Sequence, residues 1–221
     1  MKKAVVILSG GLDSTLCAYM TRDMGYEIVA LHFNYAQKTE TKELEAFSAI
    51  CDDLGVSSRY VIDLDFLANI TTNALIDPLL EVRQDGVSEE LPSTYVAFRN
   101  GIFLSIAGSL CEKEQASLIS IGVVEEDSSG YPDCRESFIQ SMQKSLNLGT
   151  KDSTSLEIFA PLLHLSKGEI VKKSFDLGVP LHLTWSCYSD GNKACGECDS
   201  CRLRLKGFAD ANKTDPIIYR S

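Results

Sequence analysis

Short apolar runs alternate with longer amphipathic stretches along most of the chain. The first run, at 4–8, is continuous and rich in β-branched residues, which is typical of a strand buried on both faces of a parallel sheet. From Ser14 onward, apolar residues recur with helical spacing. The same patterns predict further strands at 28–33, 59–64, 117–123 and 157–160, and further helices at 40–54, 100–113, 135–146, 166–177 and 201–209.

This alternation predicts an α/β fold. Short strands joined by helices form parallel sheets with right-handed crossovers, so we expect a doubly wound, mostly parallel sheet with helices on both faces. The chain has 221 residues, 44% of them apolar, and we expect residues 1–221 to form a single domain. The polar stretch 81–94 contains Gly and Pro and is predicted to be a mobile loop near the active face.

The segment SGGLDS, residues 9–14, separates the first predicted strand from the first predicted helix. A helix start carries backbone N–H groups without intrahelical partners, and glycines beside it let a ligand approach closely. The segment is therefore suited to binding phosphate. An ordinary strand-to-helix turn that uses Gly-Gly for its geometry explains the same residues, and the spacing by itself leaves both interpretations open.

The charge of the chain narrows the choice of partners. Lysine and arginine number 21, and aspartate and glutamate 31, which gives a net charge of −10. Such a chain has no general electrostatic attraction for nucleic acid or for an anionic membrane. The N-terminus does not resemble a signal peptide, and no apolar run approaches transmembrane length. We therefore expect a soluble cytoplasmic protein without nucleic-acid or membrane partners.

Four of the eight cysteines lie close together near the C-terminus. Cys187, Cys195, Cys198 and Cys201 include two steps with two intervening residues, the spacing at which a tight turn aims both sulfurs at one ion. Disulfides are improbable in a reducing cytosol, so the sequence predicts a structural Zn²⁺ in a segment spanning 187–201. An iron–sulfur cluster and a redox pair are the alternatives. Three other cysteines are expected to be small core residues of helices: Cys17, Cys51 and Cys111.

Polar clusters follow three of the predicted strands. They are SGGLDS after the first, NYAQK after the second and EEDSSGYPDCR after the fourth. Ligands bind doubly wound sheets outside the carboxyl ends of the strands, so we expect the clusters to converge on one cleft. For each cluster taken singly, a polar turn unconnected with catalysis is the alternative.

The segment SGGLDS also resembles the pyrophosphate-binding loop S-G-G-x-D-S of the ATP pyrophosphatases, enzymes that adenylate an oxygen of their substrate. The segments YAQK, DSSGYPDCR, TWSCY and CGECDSC narrow the resemblance to the family of 7-cyano-7-deazaguanine synthases, and it runs through nearly the whole chain. The resemblance implies an adenine nucleotide alpha hydrolase-like fold and a homodimer. It also implies an ATP-dependent ligase that converts 7-carboxy-7-deazaguanine and ammonia into a nitrile, through an adenylated acid, an amide and a second adenylation.

The resemblance further implies which residues form the site. The nucleotide would be bound by the glycine-rich loop and the helix after it: Leu8, Ser9, Gly10, Gly11, Leu12, Asp13, Ser14, Thr15, Leu16, Cys17 and Ala18. Catalytic roles would fall to Ser9, Asp13, Ser14, Arg99 and Lys167. Asp13 would hold Mg²⁺ or orient the loop, whereas Lys167 and Arg99 would neutralise phosphate charge.

A second loop would bind the deazaguanine acid, through Asp127, Ser129, Gly130, Tyr131, Asp133 and Arg135. A carboxylate can accept from both donors of an amino-pyrimidinone edge, which favours Asp133 or Asp127 for base recognition, and the ring of Tyr131 would stack on the heterocycle. Four positions depart from the family pattern and bear on the choice of acyl substrate: Thr39, Ala97, Phe98 and Ser128.

Two other functions compete with this interpretation. One is another ATP pyrophosphatase, such as a tRNA thiolase or an amide-forming synthetase, but a thiolase needs a basic RNA surface and the chain is acidic. The other is a non-catalytic, zinc-stabilised nucleotide-binding module, against which the intact SGGLDS and SGYPDCR segments argue.

Overall fold

A parallel sheet of five strands organises the chain. A computed structural model describes residues 2–77, 79–80, 93–125, 131–189 and 191–220. The strands are β1 (Lys3–Ile7), β2 (Glu27–Asn34), β3 (Ser58–Asp63), β4 (Leu118–Ser120) and β5 (Glu157–Phe159). The helices are α1 (Leu12–Asp23), α2 (Glu40–Asp53), α3 (Leu67–Ile70), α4 (Arg99–Glu114), α5 (Glu136–Gly149), α6 (Lys167–Asp176) and α7 (Asp199–Asp210). Two short 3₁₀ turns span Pro132–Cys134 and Leu181–Leu183.

The strand order is β3-β2-β1-β4-β5, and every pairing is parallel. The chain winds from β1 toward β3 on one side and then, through α4, from β4 toward β5 on the other. The predicted doubly wound sheet is therefore confirmed. Sheets of this kind bind ligands where the winding reverses, which here is the crevice between the carboxyl ends of β1 and β4.

Both faces of the sheet are buried, which explains the continuous apolar runs. Val5 of β1 belongs to the apolar cluster that contains Phe103 of α4, whereas its neighbour Val6 belongs to the cluster that contains Phe47 of α2. Successive residues of a strand point to opposite faces, so a strand covered on both sides needs apolar residues throughout. Helices cover both faces, as predicted.

A third apolar cluster brings α1, α6 and α7 together through Leu16, Ile170 and Phe208. The starts of α1 and α6 thereby come close to each other, although they are far apart in sequence. Within the part of the chain that the structure describes, no helix is both long and apolar enough to cross a membrane.

Several predicted boundaries were wrong. α1 begins at Leu12 rather than at Ser14, and α7 begins at Asp199 rather than at Cys201. β4 is shorter than the predicted 117–123, and the chain after it lies at Gly122 against the first turn of α1. The unpredicted α3 and 3₁₀ turns are too short to show a periodicity. Most of the predicted mobile loop, residues 81–92, lies outside the described residues.

Candidate active site and cysteine cluster

The SGGLDS segment forms a hydrogen-bonded loop between β1 and α1. The hydroxyls of Ser9 and Ser14 are 3.0 Å apart, and the Ser9 N–H donates to the Ser14 hydroxyl at 3.2 Å. The Thr15 hydroxyl donates at 2.7 Å to the carbonyl of Gly11, the N-cap of α1. These bonds fix the loop, while the first N–H groups of α1 have no intrahelical partners and can bind an anion.

Two glycines allow this loop to pack closely. Gly10 has a φ of +84°, and a Cβ there would lie 2.8 Å from the Cβ of Ala46 in α2. A Cβ on Gly122, just after β4, would lie 2.7 Å from the backbone nitrogen of Ser14. Both positions therefore require glycine for backbone packing, before any ligand is considered.

Asp13 and Lys167 form an ion pair beside the loop, with Lys167 Nζ 2.6 Å from Asp13 Oδ2. Lys167 is the first residue of α6, where Ser166 and Glu169 form a capping box that fixes the helix start. The other oxygen of Asp13, Oδ1, is buried and has no hydrogen-bond partner among the described residues. Carboxylate oxygens are preferred ligands of Mg²⁺, so this oxygen fits a magnesium ion that arrives with a nucleotide.

Two adjoining cavities lie beside the loop. The first has a volume of about 260 Å³ and an apolar wall that includes Leu31, Phe33 and Phe103. The second, of about 220 Å³, is lined by Tyr131 and Lys167 among others. Residues that line both include Asp13, Arg99, Asn100, Gly122, Ser186, Tyr188 and Ser200. The polar clusters after β1, β2 and β4 thus contribute to one cleft, as predicted.

Arg99 stands on the shared wall of the two cavities, at the start of α4. Its Nη1 donates to the Tyr35 hydroxyl at 3.0 Å, and the guanidinium carbon is 5.4 Å from the centre of the Tyr35 ring. Burial opposes the charge, but the hydroxyls of Tyr35, Tyr131 and Tyr188 raise the pKa of Arg99. The guanidinium therefore remains a fixed positive charge in the cleft.

The structure describes only part of the second predicted loop. Asp127, Ser128, Ser129 and Gly130 lie outside the described residues. Tyr131 lines the second cavity, where its hydroxyl is 2.7 Å from that of Thr94.

Asp133 and Arg135 line neither of these two cavities. Asp133 is buried, and its Oδ2 accepts from the backbone N–H of Asn100 at 2.9 Å, which holds the first turn of α4 in place. Arg135 is exposed and precedes α5. Of the described residues expected to bind the acid, Tyr131 is thus the one on a cavity wall.

Three of the four departures from the family pattern can be located. Thr39 is the N-cap of α2, and its hydroxyl donates to Glu43 Oε1 at 2.6 Å. Phe98 precedes α4 with a φ of +57°, and its half-exposed ring covers Gly101. Ala97 is exposed. Of these three residues, Thr39 is the one that contacts a cavity-lining residue, namely Glu43.

Sequence reasoning missed several lining residues: Glu43, Trp185, Ser186, Tyr188 and Ser200. Glu43 lies inside an amphipathic helix, where a glutamate looks like an ordinary surface residue. In the fold it faces the first cavity, and burial raises the pKa of its carboxyl.

The four predicted metal ligands converge on one point. The Sγ atoms of Cys187, Cys195, Cys198 and Cys201 all lie within 4.8 Å of one another. A tetrahedral ion with metal–sulfur bonds of about 2.3 Å spaces its ligands about 3.8 Å apart, so the cluster fits a single ion. A four-iron cluster binds its cysteines on separate iron atoms and needs wider spacing. None of the eight cysteines forms a disulfide.

Backbone N–H groups point at these sulfurs. The N–H groups of Ser189 and Cys195 each donate to Cys187 Sγ at 3.3 Å, and that of Cys198 donates to Cys195 Sγ at 3.3 Å. Such donors stabilise the thiolate, which is the form that binds a metal.

The chain from Trp185 through the four cysteines, called the cysteine segment below, also forms a wall of the cleft. The backbone N–H of Trp185 donates to the carbonyl of Gly10 at 2.9 Å, and its indole N–H donates to the carbonyl of Cys187 at 3.0 Å. Ser186 and Tyr188, on either side of Cys187, line both cavities. A metal at the cysteines would therefore hold in place the wall that contacts the glycine-rich loop.

Arg204 of α7 supports the same wall and is 3% exposed. Its Nε and Nη2 donate to the two oxygens of Asp215 at 2.7 and 2.9 Å, and Nη2 also donates to the carbonyl of Leu181. Its Nη1 donates to the hydroxyls of Thr184 and Ser186. All five guanidinium donors are used, so Arg204 holds the wall and has no N–H group left for a ligand.

Comparison with known proteins decides among the alternatives. The family model described as queuosine biosynthesis protein QueC matches residues 3–212. The chain belongs to the QueC family. It is 63% identical over 218 residues to a protein of Sulfurimonas denitrificans named 7-cyano-7-deazaguanine synthase, covering 99% of this chain and 97% of that protein. A Campylobacter fetus protein of the same name is 59% identical, covering 100% of this chain and 99% of its own length.

Solved structures show the same fold at much lower identity. The U34-tRNA thiolase NcsA of Methanococcus maripaludis is 17% identical with a TM-score of 0.53, covering 93% of this QueC-family chain and 63% of its own. NMN synthetase of Francisella tularensis is 13% identical with a TM-score of 0.52, covering 96% of this chain and 78% of its own. These matches support the adenine nucleotide alpha hydrolase-like fold, and they carry no argument about substrate or reaction.

Proposed function

We propose that this protein is an ATP-dependent ligase that converts 7-carboxy-7-deazaguanine and ammonia into 7-cyano-7-deazaguanine. The observation that carries the proposal is the preformed SGGLDS loop, with the Asp13–Lys167 pair beside it, at two adjoining cavities. Its QueC-family relatives carry the name of this reaction. The non-catalytic module leaves this arrangement unexplained, and the names of the relatives favour the deazaguanine acid over the substrate of another synthetase.

The first step activates the acid. A carboxylate is a poor electrophile, so one of its oxygens attacks the α-phosphorus of ATP and pyrophosphate leaves toward the loop. The N–H groups at the start of α1 and the Ser9 and Ser14 hydroxyls stabilise the negative charge that develops on the leaving group. Lys167 and Arg99 contribute positive charge on the cavity wall. A Mg²⁺ ion, held by Asp13 when bound, would neutralise further phosphate charge.

The later steps use the same machinery a second time. Ammonia attacks the acyl carbon and displaces AMP, which gives the amide. The amide oxygen then attacks the α-phosphorus of a second ATP and displaces pyrophosphate, and the adenylated amide loses AMP and its two N–H protons to leave the nitrile. Each carboxylate oxygen therefore leaves in one molecule of AMP.

The two cavities suggest where the substrates bind. The first combines the phosphate-binding loop with an apolar wall and suits the nucleotide, whereas the second, with Tyr131, suits the heterocycle of the acid. Asp127 and the other loop residues outside the described part of the chain remain the proposed binders of the amino-pyrimidinone edge, whereas Asp133, which lines neither cavity, holds the first turn of α4.

A sulfur-transfer reaction of the thiolase kind fits less well. Cys134 lines the second cavity, but burial raises the pKa of its thiol to about 12, so little thiolate is present at neutral pH. Cys187, Cys198 and Cys201 belong to the metal-binding cluster.

Three further proposals concern the state of the protein. The single ion is Zn²⁺ in a structural role, because four sulfurs occupy a tetrahedral shell and leave no position for water. The free thiols fit a reducing cytoplasm.

A homodimer is supported by exposed apolar side chains on and beside the edge strand β3: Val61, Phe66 and Ile70.

Mass spectrometry of the products tests the function. With 7-carboxy-7-deazaguanine, ammonia and ATP, we expect the nitrile, AMP and pyrophosphate, with the amide as an intermediate. With other carboxylates in place of the deazaguanine, we expect none of these. Turnover of another acid, with the deazaguanine left unchanged, would refute the substrate assignment.

A further inference from the structure

The cleft contains both paired and unpaired charges. Asp13 is paired with Lys167, and Arg204 is paired with Asp215. Glu43 also lines the first cavity, yet it forms no ion pair within the part of the chain that the structure describes. A buried carboxylate without a direct ion-pair partner is costly unless groups with hydrogen-bond donors bind to it.

Neutral hydrogen bonds hold the Glu43 carboxylate in place. The Thr39 hydroxyl donates to Oε1 at 2.6 Å, and the Gln37 amide donates to Oε2 at 3.3 Å. Gln37 is itself fixed, because its Oε1 accepts from the Tyr35 N–H at 2.7 Å. A carboxylate offers about four acceptor sites, so these two bonds leave acceptor capacity for a ligand in the cavity.

Glu43 lies next to the phosphate-binding loop. A Cβ on Gly10 would lie 2.9 Å from the Glu43 carbonyl, so the first turn of α2 packs directly on the loop. The Glu43 side chain lines the same cavity as Phe33 and Phe103, which form its apolar wall. A nucleotide with its phosphates at the loop and its base on the apolar wall would place its ribose between the two, in reach of this side chain.

We propose that Glu43 binds the ribose hydroxyls of the nucleotide. The proposal rests on the proposed function, in which this cavity binds ATP. A negative carboxylate repels phosphate oxygens, and each edge of adenine that offers the amino donor also presents an acceptor nitrogen beside it. The vicinal 2′- and 3′-hydroxyls, in contrast, are two adjacent neutral donors, which a carboxylate accepts together. Arg99, which lines the same cavity, supplies positive charge for the phosphate side of the sugar.

Binding measurements with sugar-modified nucleotides test the assignment. Calorimetry of the full, metal-loaded chain with Mg²⁺ would give dissociation constants for ATP, 2′-deoxy-ATP and 3′-deoxy-ATP. We expect the wild type to prefer ATP by about tenfold. Glu43→Gln should weaken ATP binding by a similar factor while changing the affinity for the deoxy analogues little, so that the preference for ATP disappears. Glu40→Gln in the same helical turn is the matched control, because Glu40 lines neither cavity.

Other donors could fill the site, and each predicts a different result. In one alternative, Glu43→Gln raises the KM for ammonia or weakens binding of the deazaguanine acid, while the preference for ATP over its deoxy analogues stays unchanged. That result would overturn the ribose assignment alone. A wild type that binds neither ATP nor its deoxy analogues would overturn the proposed function as well. Melting temperatures of both variants close to that of the wild type would show that the comparison concerns binding rather than folding.

Discussion

The glycine-rich loop and the cysteine segment are both short, both follow a recognisable spacing and touch each other, yet they are stabilised in opposite ways. The loop is fixed by the protein itself, through hydroxyl and backbone hydrogen bonds. Gly10 lets α2 pack directly on the loop, and Gly122 lets the segment after β4 pack on it. The cysteine segment brings four sulfurs within 4.8 Å, an arrangement that a bound cation stabilises. One region is preformed, and we propose that the other is completed by a metal.

The two regions nevertheless form one site. The Trp185 N–H donates to the carbonyl of Gly10, and Ser186 and Tyr188 line the same cavities as Asp13. The comparison therefore predicts an asymmetry. Damage to the loop should abolish chemistry without unfolding the protein, whereas damage to the metal site should reduce stability first and chemistry as a consequence.

Loss of the metal should give the largest effect. Chelation, or Cys198→Ser, should lower the free energy of unfolding by several kcal/mol and the melting temperature by roughly 10 °C or more, because metal binding contributes directly to folding. Metal content measured by mass spectrometry should fall in parallel. Cys51→Ala, outside the cluster, is the control and should keep its metal. Full stability of a metal-free protein would contradict the proposed role.

Replacement of Asp13 by alanine should distinguish the catalytic role of the loop from the stabilising role of the cysteine segment most clearly. We expect pyrophosphate release to fall by at least about 10²–10³-fold, or roughly 3–4 kcal/mol, because charge stabilisation in the transition state is lost. Metal content should stay unchanged, and the melting temperature should stay close to that of the wild type. Turnover like that of the wild type would place the nucleotide site elsewhere.

A smaller effect is expected where the two regions meet. Arg204→Lys keeps the charge but cannot reproduce the two-oxygen contact with Asp215 or the bonds to Thr184 and Ser186. We expect a loss of about 2 kcal/mol in stability and roughly fivefold weaker nucleotide binding, because the wall against the loop loosens.

Asn147→Ala provides the matched control for that variant. Asn147 connects α5 to the residue before β5 through two hydrogen bonds with Leu156, and it lines neither cavity. It should lower stability without changing nucleotide affinity. If both variants, or neither, weaken nucleotide binding, the link between the regions through Arg204 is wrong.

The sequence predicted those features whose signal is local. The two-residue spacing of the cysteines, the SGGLDS turn and the buried strands each show within a few neighbouring residues. The parallel order also follows from the alternation of strands and helices, so the fold class was predictable and was confirmed.

Features that depend on contacts between residues far apart in the sequence could not be predicted from local patterns. The Asp13–Lys167 pair joins residues 154 positions apart, and no pattern at either position signals the other. Glu43 shows only the periodicity of its helix, and Arg204 only that of α7. Asp133 illustrates the same limit, since its position in the PDC turn does not reveal that one oxygen accepts from the first turn of α4.

Isotope tracing tests the central claim most directly. The wild-type protein would be given 7-carboxy-7-deazaguanine labelled with ¹⁸O in both carboxylate oxygens, together with ammonia and ATP, and the products analysed by mass spectrometry. The account predicts that the label leaves the organic substrate entirely and that each AMP released in a productive turnover carries one labelled oxygen, with pyrophosphate unlabelled. Label in pyrophosphate, or release of labelled water with unlabelled AMP, would show that the carboxylate oxygens are not adenylated and would contradict the account.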